Sequence, residues 1–216
     1  MKRRTLDIMF SIGGLVLAGL LLVIGVVLTS NANFAKNYVT DQLTQQNITF
    51  KSADTLTDEE RQSACVVQYA GQRLTTGKQA ECYANNFIGL HLKSTADGKT
   101  YADLGEPQSA LRAEVQQAQK NNDPNLASLQ QQLTQITTQR DTLFKGETLR
   151  GLLLTSYGFS EFGTKAAQGA TVAYLASGLL ALLSLLGFVH AFRTSTATAF
   201  APVERQVERR TTPATA

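Results

Sequence analysis

At 216 residues, with a net charge of +3, the chain has room for one domain plus extra segments and no nucleic-acid signature. Two cysteines and two histidines leave little material for a cysteine-rich scaffold or a histidine-built metal centre. The near-neutral mean hydropathy averages two strongly apolar blocks with a polar middle.

Residues 1–7 carry Lys2, Arg3 and Arg4 and form a basic N-terminal flank. Residues 8–29, "IMFSIGGLVLAGLLLVIGVVLT", hold no charge and no proline. As a helix they reach roughly 33 Å, enough for a hydrocarbon core of about 30 Å. The alternative is a cleaved signal peptide, with "SNA" at Ser30 to Ala32 as a weak cleavage site. The apolar run exceeds the usual core of about 7–15 residues, which favours a retained signal anchor.

Residues 31–106 read as an extracytoplasmic, mainly helical domain. Phe34, Val39 and Leu43 could share one helical face, and "NITF" offers a short β-type run. Asn47-Ile48-Thr49 matches a glycosylation sequon, a pattern too short to carry function alone. Thr55 or Thr57 suits an N-cap ahead of Asp58, Glu59 and Glu60. Cys82, Phe87 and Leu90 suit a second helix through 83–92. In an oxidising compartment Cys65 and Cys82 would then staple two helices together; in a reducing one they would be free thiols.

"HLKSTADGKTYADLG", residues 91–105, concentrates the chemistry-bearing residues of the chain. Gly98-Lys99-Thr100 has the end of a phosphate-binding loop, but Lys93 stands where its first glycine belongs, so a turn at Asp97-Gly98 with Lys99 solvated is the better account. His91 would need a carboxylate such as Asp97 or Asp103 to build a metal site, and nothing in the spacing compels one. No nucleophile or metalloprotease motif occurs, so no catalytic, cofactor or metal residues are assigned.

Residues 107–147 change character. Asp123 and Pro124 suit a helix start, and Leu126, Leu129, Leu133, Ile136, Arg140 and Leu143 step by threes and fours. Such a stripe is a helical hairpin closing on Leu111, Val115 and Ala118, or an intermolecular coiled coil. Residues 148–168 form a membrane-proximal segment that could continue the second transmembrane helix outward, with Tyr157, Phe159 and Phe162 as interfacial aromatics. Residues 169–192 read as a second transmembrane helix, and 193–216 as a disordered cytoplasmic tail. Gly14 and Ala18, with Gly169, Ala173, Ser177 and Ala181, form small-residue stripes that pack the two helices together or bind a second copy or partner.

Arg193, Arg205, Arg209 and Arg210 match the basic N-terminal flank, so both termini are expected in the cytoplasm, in a two-pass cell-membrane protein. The two histidines then fall on opposite sides of the bilayer. The fold class expected is all-α: two transmembrane helices flanking an extracytoplasmic helical domain with a hairpin and one disulfide.

"NNFIGLHLKSTADGKTYADLG" and "LRGLLLTSYGFSEFG" resemble segments of a family of small two-helix membrane proteins of high-GC Gram-positive bacteria. His91, Gly98, Lys99, Thr100, Tyr101, Ala102 and Leu104 carry the first likeness. Leu149, Arg150, Thr155, Ser156, Phe162 and Gly163 carry the second. The likeness covers the frame of the chain and not the 107–147 insert. Members are often labelled aromatic ring-opening dioxygenases, a chemistry whose extradiol type holds iron with two histidines and a carboxylate. Histidines separated by a bilayer cannot form that set, so the resemblance implies architecture and no reaction.

The function expected is a non-enzymatic envelope protein: an accessory, scaffold or interaction component with the lipid bilayer, a membrane or envelope protein, or a second copy as partner. The alternative is a sensor that binds an extracytoplasmic ligand and signals through the second transmembrane helix. Its candidate surface is His91, Lys99, Tyr101 and Arg150.

Overall fold

The computed structural model describes residues 3–193, so expectations for the tail at 194–216 lie outside the described residues. The chain is helical, with no strand among the described residues: α1 (Arg3–Gln45), α2 (Asp58–Arg61), α3 (Ala64–Gln68), α4 (Gly77–Cys82), a π-helical segment (Tyr83–Ile88), α5 (Gly89–Thr95), α6 (Gly105–Asn121) and α7 (Leu126–Arg193). The second helix of the insert, the membrane-proximal segment and the second apolar block are one continuous helix, the outward continuation that the apolar membrane-proximal stretch allowed extended back to Leu126. No proline falls between Leu126 and Arg193, and nothing else in the run removes a backbone donor. α1 and α7 are each long and apolar enough to cross a membrane by length and composition. The described residues cluster into two compact units, one of 3–29 with 167–193 and one of 30–166.

In the first unit the two helices meet along a seam of small residues. Ser11, Ala18, Ala173, Ser177 and Ser184 are buried there. The Ser177 hydroxyl donates to the Ala18 carbonyl at 2.8 Å, across the seam. A side chain at Gly14 would collide with Ser184, and one at Gly187 with Ser11. Tyr174 lies against Gly25, and its hydroxyl is 3.0 Å from that of Thr29. Small residues are needed here because any larger one would hold the backbones apart. The seam differs from the expected four-residue stripe. Ala170, Ala173, Ser177, Ser184 and Ala191 are buried, while Gly169 and Ala181 are only half-buried. A strict four-residue step drifts about 40° per step around a 3.6-residue helix, whereas alternating threes and fours stay on one face.

The second unit holds the main core, including Val39, Leu43, Phe50, Leu74, Ile88 and Leu143. Of the residues expected to share a face of the first helix, Val39 and Leu43 are buried and Phe34 is exposed, where it stacks on Tyr38 and meets Phe159 edge-on. "NITF" makes an isolated antiparallel bridge, Thr49 to Arg73, flanked by backbone bonds from Leu74 to Ile48 and from Phe50 to Gln72. Cys65 in α3 and Cys82 at the end of α4 form a disulfide. Its neighbourhood is aromatic: Phe50 packs on Tyr69 and edge-on to Tyr83, and Tyr83 stacks on Phe87.

α6 and the start of α7 pair antiparallel within one chain. Asn122 ends α6 in the left-handed region (φ 49°), and the Asp123 carboxylate accepts the Asn125 N–H before α7 begins at Leu126. Across the pair the Gln108 amide donates to the Thr137 hydroxyl at 2.9 Å. Ile136 and Leu143 are buried, and Leu126, Leu129 and Leu133 half-buried. Arg140, which interrupts the stripe, is accommodated because its guanidinium donates to Gln108 Oε1 and to the Tyr101 carbonyl. A half-buried cation placed so is hydrogen-bonded and not stranded.

Candidate functional site

Two places in the 30–166 unit draw on residues singled out from the sequence. The first is built on a capping box. Thr57 Oγ1 accepts the Glu60 N–H at 3.2 Å, and Glu60 Oε2 accepts the Thr57 N–H at 2.8 Å, so the α2 N-terminus is closed from both ends. That reciprocal bond folds the Glu60 side chain inward, where it is fully buried. Its other oxygen accepts from Lys51 Nζ at 2.7 Å and lies 3.2 Å from His91 Nε2. His91 Nδ1 meanwhile faces the Phe87 carbonyl at 2.7 Å, and its ring packs edge-on to Phe87. Lys51 also sits over the Phe87 ring.

The cluster explains His91. The carboxylate beside it is Glu60, not Asp97 or Asp103, and both ring nitrogens are engaged, one by the backbone and one by Glu60. Asp103 instead accepts the backbone and side-chain hydrogens of Thr100, each at 2.8 Å. The Phe87 carbonyl and the Glu60 carboxylate together fix the orientation of the ring. His91 therefore ties α5 to α2, at the rim of an open groove of about 520 Å³.

Burial alone would raise the Glu60 carboxyl, but the Lys51 hydrogen bond, the Thr57 N–H and the charges of Lys51 and His91 outweigh it and hold the group below its ordinary value of 4.5. A carboxyl depressed by folding adds stability that is complete above the unfolded value and is lost as pH falls toward the folded one. The stability difference between wild type and Glu60→Gln should therefore shrink as pH falls below roughly 4.5. Thermal melts followed by circular dichroism at stepped pH check this. A difference that stays flat down to pH 3 would remove Glu60 as the source.

The second place is an open cleft of about 300 Å³ between α5, the loop at 98–101 and α7. Here the structure brings together Lys99, Tyr101 and Arg150; His91 is not among the lining residues. The α5 C-terminus shapes the loop. Asp97 and Gly98 both take positive φ, 50° and 80°, and the Gly98 N–H closes back on the Lys93 carbonyl at 2.8 Å. This is the turn expected at Asp97-Gly98, and glycine adopts such a φ without steric cost. Tyr101 is held from behind: Arg140 donates to its carbonyl at 3.2 Å and stacks 4.1 Å from its ring centroid. Arg150 reaches Glu147 at 3.0 Å and Asn85 at 3.3 Å, while its Nε is buried with no partner.

Sequence reasoning missed Lys93, Asn85 and Glu147 in this cleft, and Glu60 and Lys51 in the cluster. One signal was available: Thr57-x-x-Glu60 is a capping-box pattern, which draws the glutamate back toward the chain. None existed for Asn85, because the π-helical turn through Tyr83–Ile88 changes which residues share a face. Among the described residues no group of three histidine, cysteine or acidic side chains is placed to hold a metal ion.

Comparison with protein-family models, curated proteins and solved structures finds no match to this chain. Fold and site define a class: a helical protein with two helices long and apolar enough to cross a membrane, and a disulfide-bonded helical unit bearing a basic cleft.

Proposed function

We propose that this is a two-span integral membrane protein of the cell envelope, with both termini cytoplasmic and 30–166 outside, acting as a non-enzymatic accessory or scaffold component. The carrying observation is the bare surface of the apolar helices. Only 11% and 17% of their most apolar windows are buried, whereas the core helix of a soluble protein is mostly covered. Phe10, Val16, Leu20, Val172, Leu175 and Leu182 are all more than half exposed. Water would penalise such a surface, and lipid would not. The basic flanks support the orientation, and a disulfide within 30–166 fits an oxidising compartment. The outer faces of the α6–α7 pair, with Gln116, Gln117, Gln130 and Gln131 exposed, suit a presented polar surface more than an enzyme. The resemblance to small two-helix membrane proteins belongs to the same reading.

Topology is the test. Single cysteines introduced at Asn125 and Thr212 should label from outside at Asn125 and not at Thr212, using an impermeant maleimide on intact cells. The reverse pattern would sink the orientation, and release of both sites into the soluble fraction would sink the membrane assignment.

A second reading, an extracytoplasmic ligand sensor, is favoured by one observation: Lys99, Tyr101 and Arg150 line a single cleft.

A further inference from the structure

We propose that this cleft is an oxyanion site that takes a phosphate group, with Lys93, Lys99 and Arg150 as its donors and the Tyr101 ring as a wall for the rest of the ligand. The inference deepens the sensor reading and rests on it.

Three cations line the cleft against one carboxylate, Glu147. Glu147 is already paired with Arg150 Nη1. No carboxylate forms an ion pair with Lys93 or Lys99 among the described residues, and Asp103, which feels the Lys99 charge, is committed to Thr100. Like charges gathered on one concave surface repel one another unless a counter-charge enters. Arg150 is held at the cleft wall from two sides, Nη1 by Glu147 at 3.0 Å and Nη2 by Asn85 at 3.3 Å.

Geometry favours phosphate over carboxylate. The donors come from three elements: Lys93 from α5, Lys99 from the loop and Arg150 from α7. A tetrahedral oxyanion has oxygens for converging donors from several sides, whereas a carboxylate presents two in one plane. The surplus of two positive charges also suits a group bearing between one and two negative charges near neutrality. The cleft is at the small end of the range for ligand sites, which suits a phosphate ester or headgroup better than a large molecule. Tyr101, held on one side by Arg140, is 43% exposed and leaves an aromatic surface beside the charges.

The experiment uses the full chain in nanodiscs of neutral phosphatidylcholine. Inorganic phosphate and glycerol phosphate are titrated in turn by calorimetry at constant ionic strength. A parallel arm replaces part of the lipid with phosphatidic acid and follows the phosphorus resonance. Saturable binding is expected, weakened at least tenfold by Lys99→Gln and by Arg150→Gln and unchanged by Lys120→Gln, an exposed cation of α6 outside the cleft. Lys99→Gln removes only a solvent-facing side chain, so it remains informative if Arg150→Gln fails to fold. Saturation by the soluble esters identifies a soluble ligand, and a response confined to phosphatidic acid identifies a headgroup. Tighter binding of succinate than of phosphate would overturn the phosphate assignment and leave a ligand-receiving unit. Absence of saturable binding, or equal loss in Lys120→Gln, would overturn the site itself. Cysteine labelling at Asn125 and Thr212 is independent of phosphate, so topology and binding fail separately.

Discussion

Replacing Cys65 and Cys82 together by serine should lower the stability of the 30–166 unit by about 3 kcal/mol, the loop-closure value for a loop of about 15 residues; here the sequence separation is 17. For a unit of this size that is on the order of 10 °C in thermal midpoint. The effect is large because the bridge joins two very short helices. α3 has 5 residues and α4 has 6, and neither would persist alone in water. Capping helps them: Ser63 caps α3, and Thr76 with Gln79 forms a capping box on α4. Phe50 and Tyr83 then pack beside the buried Cys82. Melts of oxidised protein, reduced protein and the double serine variant, each in mild detergent, would check this. Coincident curves would mean that the aromatic cluster holds these helices without the bridge. Alkylation under native conditions should also find no free thiol, since the two cysteines are bonded to each other.

The second large effect is expected in the α6–α7 pair. Leu143 is 2% exposed and belongs to the main core, so Leu143→Ala should cost about 2–5 kcal/mol. Leu129 is half-buried near the turn at 122–125, and Leu129→Ala should cost only about 1 kcal/mol. The contrast follows from burial along the stripe: Leu126, Leu129 and Leu133 are partly covered, and Ile136 and Leu143 fully covered. Limited proteolysis should therefore open the Leu129 variant near the turn while the Leu143 variant loosens the whole unit. If Leu129→Ala instead leaves protease resistance unchanged and alters mass on a native gel, the stripe serves an interface between copies.

Much of the helical frame was legible in the chain. Two uninterrupted apolar blocks demand long helices, because only backbone groups satisfied within the segment are tolerated in a run without polar side chains. The three-four spacing of Leu126 to Leu143 located a seam, and the positive-φ turn at Asp97-Gly98 was readable from residue type. Continuity was legible only in part: the apolar membrane-proximal stretch allowed an outward extension of the second apolar helix, but α7 also takes in the hairpin arm from Leu126, because composition changes there and helical continuity does not.

The site divides along the same line. Residue type alone determined that Cys65 and Cys82 could bond, that Gly98 could turn and that Lys99 and Arg150 would be charged. Tertiary structure decided which of these meet. A fold-back glutamate, Glu60, occupies His91 and removes it from the cleft, while Arg140 fixes Tyr101 beside Lys99 and Arg150. The residues concerned lie far apart in sequence, with Tyr101 and Arg140 separated by 39 positions. Local propensity acts over a few residues, so it specifies each helix. Only burial of the shared core selects the register at which Lys93, Lys99 and Arg150 line one cleft.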